Sequence, residues 1–99
     1  MAIAVVQEFT GPDDDRSTTN YDGVSARLNA HADPPAGLIL HTAGFAGTAV
    51  FRIFDVWESE ADWQRFHDER LMPAVMQIEG GAAPPTTEYS SELHDVVRG

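Results

Sequence analysis

The stretch FRIFDVWESEADWQRFHDERLMPAV, residues 51–75, predicts a β-strand followed directly by an α-helix. Its first part belongs to the run AVFRIFDVWE, residues 49–58, which is the strongest strand signal in the chain because it is rich in β-branched and aromatic residues. Ser59 and Asp62 then form a capping-box pattern, with a hydroxyl at the cap and a carboxylate three residues later. The helix is therefore expected to begin at Ser59.

The apolar residues of this helix recur on one face, which is the face expected to pack against a sheet. They are Trp63, Phe66, Leu71, Val75 and Ile78. Pro73 is expected to kink the helix or to split off its last turn, because proline lacks the amide donor. Gly80 and Gly81 are expected to end it.

Working outward toward the N-terminus, a short apolar strand is predicted at residues 2–9, and Gly11-Pro12 breaks it. A helix capped by Thr18 or Thr19 follows and stops before Asp33. A second strand at residues 37–44 leads through a short glycine-flanked turn into the strand at 49–58, so these two strands are expected to form a hairpin.

A last strand is predicted at residues 86–97, with the weak polar alternation typical of an edge or intersubunit strand. The order β-α-β-β-α-β predicts an α+β fold, the ferredoxin-like arrangement with an antiparallel sheet, in one domain spanning residues 1–99. Its first and third strands are expected in the centre of the sheet. Because two helices cover only one face, a second copy of the chain is the simplest cover for the other, and we expect a homodimer.

Composition excludes several classes of function. The chain has 99 residues and a formal charge of −10, which argues against binding to nucleic acids or to anionic membranes. It contains no cysteine, and its four histidines show no metal-ligand spacing, so no metal site is expected. No apolar run approaches the roughly 20 residues of a membrane span. The start MAIAVVQEF lacks a basic region and a cleavage site, so a cytoplasmic location is expected.

The stretch at residues 51–75, and above all its WES step at 57–59, resembles the signature of the dimeric α+β barrel superfamily, which includes the antibiotic-biosynthesis-monooxygenase-like proteins. The opening VVQEF, Tyr21, the run LILHTAG and the late His94 resemble small actinobacterial members, and the resemblance covers nearly the whole chain. It implies two sheets paired face to face in a homodimeric barrel, with ligands between the sheet and the helices of each subunit.

Members of that superfamily include cofactor-free oxygenases acting on aromatic polyketides, haem-degrading oxygenases, lactone isomerases and cyclases. The haem-degrading branch has an asparagine on the first strand, and a tryptophan and an iron-ligating histidine on the second helix. This chain has Gln7, Phe66 and Met76 at the aligned positions. Since neither Phe66 nor Met76 supplies an imidazole ligand, no haem and no other cofactor is expected.

Three residues are the candidate acids and bases. His41 lies in the middle of an apolar strand, where it is either a base in a pocket or a hydrogen-bonded histidine on a half-exposed strand. His67 lies on the apolar stripe of the second helix, where it either lines a pocket or reaches water from the stripe edge. Asp55 is a carboxylate in a central strand, which requires a partner. That partner is His41, Arg52 of another subunit, or a ligand.

Five residues are the candidate ligand-binding side chains, and each also has a purely structural interpretation as core packing. They are Trp57, Trp63, Phe66, Tyr21 and Leu71. An aromatic ring on the face of Asp55 could stack on a planar ligand. Whether this face looks toward the helices or toward a sister sheet depends on the strand register, because a shift of one residue reverses it.

Two functions remain open. The first is a cofactor-independent enzyme of the monooxygenase-like or cyclase-like type acting on an apolar aromatic metabolite, in which the protein deprotonates an activated carbon or phenol. The second is a dimer that binds a ligand or serves a structural role without turnover. In the second case the pocket is filled by side chains or holds a metabolite without altering it. Two histidines converging beside a cavity would favour catalysis, and an empty, dry pocket would favour the second function.

Overall fold

Four antiparallel strands form a sheet, and the helices lie against one of its sides. A computed structural model describes residues 1–10, 18–47, 49–78 and 84–99. The elements in chain order are β1 (Ile3–Thr10), α1 (Thr19–Leu28), β2 (Leu38–Phe45), β3 (Val50–Trp57), α2 (Glu60–Phe66), a π-helical turn (His67–Leu71), α3 (Met72–Met76) and β4 (Thr87–Glu92). This is the predicted α+β order. The predicted breaks at residues 11–12 and 80–81 lie outside the described residues.

The strand order in the sheet is β2-β3-β1-β4, so β1 and β3 occupy the centre as predicted. In the register, Val5 of β1 is opposite Asp55 of β3, and Asp55 is opposite His41 of β2. Directly opposed residues point to the same side of an antiparallel sheet. Val5, Asp55 and His41 therefore share one side.

That side faces the helices, as the hydrophobic core shows. The core cluster consists of Ile3, Val5, Trp57 and Trp63, with Leu38, Phe66 and Leu71 packed against it. Trp57 is 0% exposed, and its ring lies 5.8 Å from that of Trp63 and 5.1 Å from that of Phe66. Because Asp55 is two residues from Trp57 on the same strand, it also points toward the helices. We call this side of the sheet the helix-facing side.

The junction between β3 and α2 is fixed by the predicted cap. The Ser59 hydroxyl accepts a hydrogen bond from the backbone N–H of Asp62 at 3.1 Å and donates one to the Asp62 carboxylate at 2.9 Å. The Asp62 side chain also lies over Gly37, whose φ is +87°. A side chain at residue 37 would meet Asp62, so the close approach of α2 to the start of β2 depends on this glycine.

The second predicted helix is divided, but the interruption comes before Pro73. The π-helical turn widens the helix so that Met72 N–H bonds to His67 C=O, and Pro73 then occupies an early position of α3, where a missing donor costs little. Arg70, in this turn, donates to the backbone carbonyls of Leu28 and Asp33 at 2.8 and 3.0 Å. These bonds attach the end of α1 to the unit formed by α2, the π-helical turn and α3, which we call the second helical unit.

The last strand is shorter than predicted, since β4 ends at Glu92 rather than at residue 97. Glu92 is opposite Ile3, the first residue of β1, so the regular pairing of the two strands ends there. The chain then leaves the sheet, with one more backbone bond from Leu93 N–H to the Ala2 carbonyl and an ion pair between Arg98 and Glu58 at 3.6 Å.

The side of the sheet opposite the helices, called here the open face, exposes large apolar side chains. Leu40, Phe54 and Tyr89 are 49%, 36% and 55% exposed. Glu8 and Arg52 pair across the central strands of this face, with a nitrogen-to-oxygen distance of 2.7 Å. Among the described residues, no helix is long and apolar enough to cross a membrane.

Candidate functional site

A buried carboxylate and an imidazole pair across β2 and β3 on the helix-facing side. His41 Nδ1 lies 2.6 Å from Asp55 Oδ1. Asp55 is only 4% exposed, whereas the His41 side chain is 35% exposed. His41 is therefore the partner that Asp55 requires, of the three considered from the sequence. Its ring connects a buried charge to the surface of the molecule.

Tyr21, in the first turn of α1, extends this pair into a chain of three side chains. Its hydroxyl oxygen lies 2.7 Å from His41 Nε2, and the two rings are nearly parallel, at 6°. The Tyr21 ring also contacts Phe51 with a centroid distance of 5.1 Å, and Phe51 contacts Phe45 at 5.2 Å. We call Tyr21, His41 and Asp55 the triad; it lies beside a small aromatic cluster.

The geometry assigns the protons of the triad. A carboxylate can only accept, so Nδ1 of His41 carries a proton and donates it to Asp55. In the neutral ring, Nε2 is then an acceptor and receives the Tyr21 O–H. When His41 becomes an imidazolium, Nε2–H donates to the Tyr21 oxygen instead. The direction of the outer hydrogen bond therefore reports the charge of His41.

Two pKa values in the triad are shifted. The hydrogen bond to Asp55 raises the pKa of His41, against an opposing effect of burial, and the charge of Asp55 adds to the increase. Burial raises the pKa of Tyr21, as do the negative charges of Asp55 and Asp22, while a hydrogen bond with Ser25 lowers it. The site thus favours a protonated imidazole and disfavours a tyrosinate.

His67 does not join the triad. Within the described residues its polar and ring contacts are with Asp68, at 2.9 Å from Nδ1, and with the Trp63 ring at 5.6 Å. It lies on the same side of the sheet as Asp55, because Trp63 packs on Trp57. The two histidines therefore share a side of the sheet but have different partners.

Four of the five candidate ligand-binding residues are packed against one another. Trp57, Trp63, Phe66 and Leu71 all belong to the core or lie against it. The indole N–H of Trp57 is buried and has no hydrogen-bond partner among the described residues. Of the five, only Tyr21 contacts His41. The structure thus packs Trp57, Trp63 and Phe66 together in the core, and of the predicted aromatic residues Tyr21 alone belongs to the triad.

Two surface depressions lie elsewhere. One, of about 260 Å³, is bounded by the β2–β3 hairpin and includes Arg52 and Phe54 of the open face. The other, of about 200 Å³, lies between Pro35 and the start of the second helical unit, beside Phe66 and Arg70. Neither depression is lined by a member of the triad. The triad is reached from the edge of the sheet, where β2 and α1 leave His41 partly exposed.

Sequence reasoning missed two features of the site. The link between Tyr21 and His41 joins α1 to β2, and no local spacing indicates it. Ser25 lies one turn after Tyr21 on α1 and lowers the pKa of Tyr21, and this i, i+4 spacing was a signal available in the sequence. Within the described ranges, no group of three or more histidine, aspartate or glutamate side chains is placed to hold a metal ion.

Comparison with solved structures shows that the fold recurs in other proteins. A candidate antibiotic biosynthesis monooxygenase from Chloroflexus aurantiacus has a TM-score of 0.68 and 11% identity, over 99% of this chain and 98% of that chain. Rv0793 from Mycobacterium tuberculosis has a TM-score of 0.66 and 12% identity, over 99% and 100% of the two chains. SnoaB, a cofactor-independent oxygenase from Streptomyces nogalater, has a TM-score of 0.64 and 15% identity, over 99% and 98%.

One of these neighbours is described as a candidate antibiotic biosynthesis monooxygenase and another as a cofactor-independent oxygenase, and their shared fold agrees with the ferredoxin-like arrangement predicted from the sequence. At identities this low the similarity establishes the fold alone, because one fold hosts many functions. No protein-family model matches the chain, and no curated protein matches it. The function must therefore be argued from the triad.

Proposed function

We propose that this protein is a homodimeric, cofactor-independent enzyme of the monooxygenase-like or cyclase-like type, acting on an apolar aromatic metabolite. The observation that carries the proposal is the pairing of His41 with the buried Asp55 at 2.6 Å, which orients Nε2 of the imidazole away from the sheet. SnoaB, whose fold is similar, is a cofactor-independent oxygenase, and this supports the reaction class.

In this proposal His41 is the general base. Nε2 receives the proton that an activated carbon or a phenol of the substrate releases, and Asp55 stabilises the imidazolium that forms. The raised pKa of His41 favours that proton transfer. The electron-rich substrate anion then either cyclises or reacts with dioxygen. For a methylene carbon, one oxygen atom enters as a ketone, and the second leaves as water with the two hydrogens of the carbon.

The aromatic side chains around the site suit a planar ligand. Tyr21 offers a ring face beside His41 and Phe51 offers one beside Tyr21, and aromatic pairs of this kind contribute about 0.5–1.5 kcal/mol beyond burial. Trp57, Trp63, Phe66 and Leu71 are proposed to form the wall deeper under the helices. His67, against Trp63, is proposed as a second acid or base for a ligand long enough to reach it.

The dimer is proposed to form through the open face. Leu40, Phe54 and Tyr89 expose apolar surface there, and a second copy would bury it. Light scattering at micromolar concentration is expected to give twice the monomer mass of 10.8 kDa. A monomer mass would contradict this part of the proposal without touching the chemistry of the triad.

The activity can be tested with anthrone, a tricyclic compound whose methylene carbon carries an acidic proton. The full chain is expected to accelerate oxygen uptake and the formation of the quinone, and His41→Gln is expected to abolish the acceleration. His31→Gln is the matched control, because His31 is exposed and lies outside the triad. Equal activity in His41→Gln and in the control would refute the role of His41.

A second function, binding or structural support without turnover, is favoured by one observation. The side chain of Trp57 is 0% exposed, so the deepest part of the predicted pocket is filled by the protein itself. This alternative predicts that no product forms from an aromatic compound, even when that compound binds. Saturable binding of anthrone, with no oxygen uptake at any pH, would establish it.

A further inference from the structure

We infer that Tyr21 is the residue that meets the ligand, that it recognises a phenolic hydroxyl, and that it passes the phenol's proton on to His41. This inference rests on the proposed function, because it assumes that His41 acts as the base. It adds a substrate class, phenols with a flat aromatic ring, and a residue that touches the reacting atoms.

The position of Tyr21 excludes direct access to the base. In the neutral imidazole, Nε2 offers one lone pair, and the Tyr21 hydroxyl occupies it at 2.7 Å. Nδ1 is held by Asp55 at 2.6 Å, so both ring nitrogens of His41 are engaged. A ligand proton can therefore reach His41 through the Tyr21 oxygen without any movement of the triad.

The Tyr21 oxygen has the capacity for this transfer. A phenol oxygen has two lone pairs and one proton; here the proton goes to His41, so a lone pair is available to accept from a ligand hydroxyl. A ligand hydroxyl that donates to this oxygen completes a chain of donors in one direction, from the ligand through Tyr21 to His41. Phe51, 5.1 Å from the Tyr21 ring, provides an apolar surface for the ring of such a ligand.

The step balances without an oxidant or a cofactor. The ligand O–H bond breaks, and its proton forms a new O–H bond on Tyr21. The original Tyr21 O–H bond breaks at the same time, and that proton forms an N–H bond at Nε2. The products are a ligand phenolate and an imidazolium, with Tyr21 neutral again and the Nδ1 proton still bonded to Asp55.

The charges around the triad favour this relay over a persistent tyrosinate. Asp55 on β3 faces His41 and stabilises its cation, while Asp55 and Asp22 both disfavour a negative charge on Tyr21. Tyr21 is therefore protonated before and after the transfer. The new phenolate is bound by the Tyr21 hydroxyl, which is in turn hydrogen-bonded to the imidazole.

The same contact would also allow Tyr21 to act in the opposite way, as a group that blocks access to Nε2 of His41. If Tyr21 merely occupied Nε2, its removal would expose the base and improve the ionisation of a bound phenol. The relay predicts the reverse, because Tyr21→Phe leaves a gap between the ligand hydroxyl and Nε2. This substitution keeps the ring that packs on Phe51, and only the oxygen is lost.

The experiment uses para-nitrophenol, whose phenolate absorbs at longer wavelength than the neutral phenol and whose acidity allows transfer near neutral pH. Its apparent pKa when bound to the full chain is expected to lie below its value in buffer. In Tyr21→Phe, the ratio of phenolate to phenol in the bound probe is expected to fall about tenfold, which corresponds to one pKa unit. The control Tyr89→Phe removes a hydroxyl from the open face, away from the triad, and is expected to leave the ratio of phenolate to phenol in the bound probe unchanged.

Three results would overturn the inference. They are absence of probe binding to the full chain, an unchanged ratio in Tyr21→Phe, and a higher ratio in that variant. As a second measurement that needs no variant, nitrogen NMR is expected to show His41 becoming an imidazolium as the probe binds, and an unchanged imidazole would count against the relay. Anthrone turnover is scored separately, so loss of the relay and loss of the proposed activity are distinguishable.

Discussion

Replacing Asp55 by asparagine tests the energetic basis of the triad, because it removes the charge while keeping the shape of the side chain. Asp55 is 4% exposed and bonds to His41 Nδ1 at 2.6 Å. In Asp55→Asn, the amide oxygen can still accept from Nδ1, so the neutral triad retains its geometry. What is lost is the interaction of a carboxylate with an imidazolium.

The expected loss follows from burial and charge. A hydrogen bond to a charged group contributes about 1.5–3 kcal/mol. The His41 side chain is 35% exposed, so solvent screening reduces this to about 1–2 kcal/mol. Asp55 raises the pKa of His41 in the folded state. The stabilisation of the fold by this charge pair is therefore fully present below the unfolded-state histidine pKa of about 6.5, and it is lost as pH rises through the folded-state pKa.

The assay is urea denaturation of the unsubstituted protein and of Asp55→Asn, at about pH 6 and about pH 9, on either side of the titration of an imidazole. Asp55→Asn is expected to cost more free energy of unfolding at the lower pH. Glu8→Gln is the matched control, since it breaks the more exposed pair with Arg52 and is expected to cost about 0.2–1 kcal/mol at both pH values. A pH-independent cost for Asp55→Asn, or one no larger than the control, would refute the reasoning.

Three further substitutions test the scaffold by urea denaturation. Gly37→Ala is expected to destabilise more than Gly47→Ala, because both have positive φ but only residue 37 would press on Asp62; equal costs would contradict the packing argument. Ser59→Ala is expected to cost about 1 kcal/mol through loss of the α2 cap, and an unchanged midpoint would show that the cap contributes nothing. Trp57→Ala is expected to cost about 3–5 kcal/mol, and a cost below 1 kcal/mol would mean that this tryptophan is not packed as described.

The fold was predictable because its signals are local. The Ser59 cap, the run at residues 49–58 and the helical stripe each involve neighbours in sequence, and each appears in the structure. The length of β4 was not predictable in this way. It ends at Glu92 because its partner strand begins at Ile3, which is a property of the pairing and not of the strand's own residues.

The site was predictable only in part, because its contacts join residues that are far apart in the sequence. Asp55 demanded a partner, and His41 was one of three that the sequence offered; the choice depended on the register of the β2–β3 hairpin. The contact between Tyr21 and His41 depends on how α1 lies over the sheet, which no spacing encodes. His67 has the correct periodicity for the helix-facing side, yet its ring nitrogen pairs with Asp68.

Nitrogen NMR of the His41 ring tests the central claim of a base oriented by Asp55, and His41→Gln identifies the signal by removing it. The account predicts that Nδ1 is protonated at every pH examined, that Nε2 alone titrates, and that it does so above the ordinary histidine pKa of about 6.5. A ring whose neutral form carries its proton on Nε2, or whose pKa lies below that value, would contradict the account.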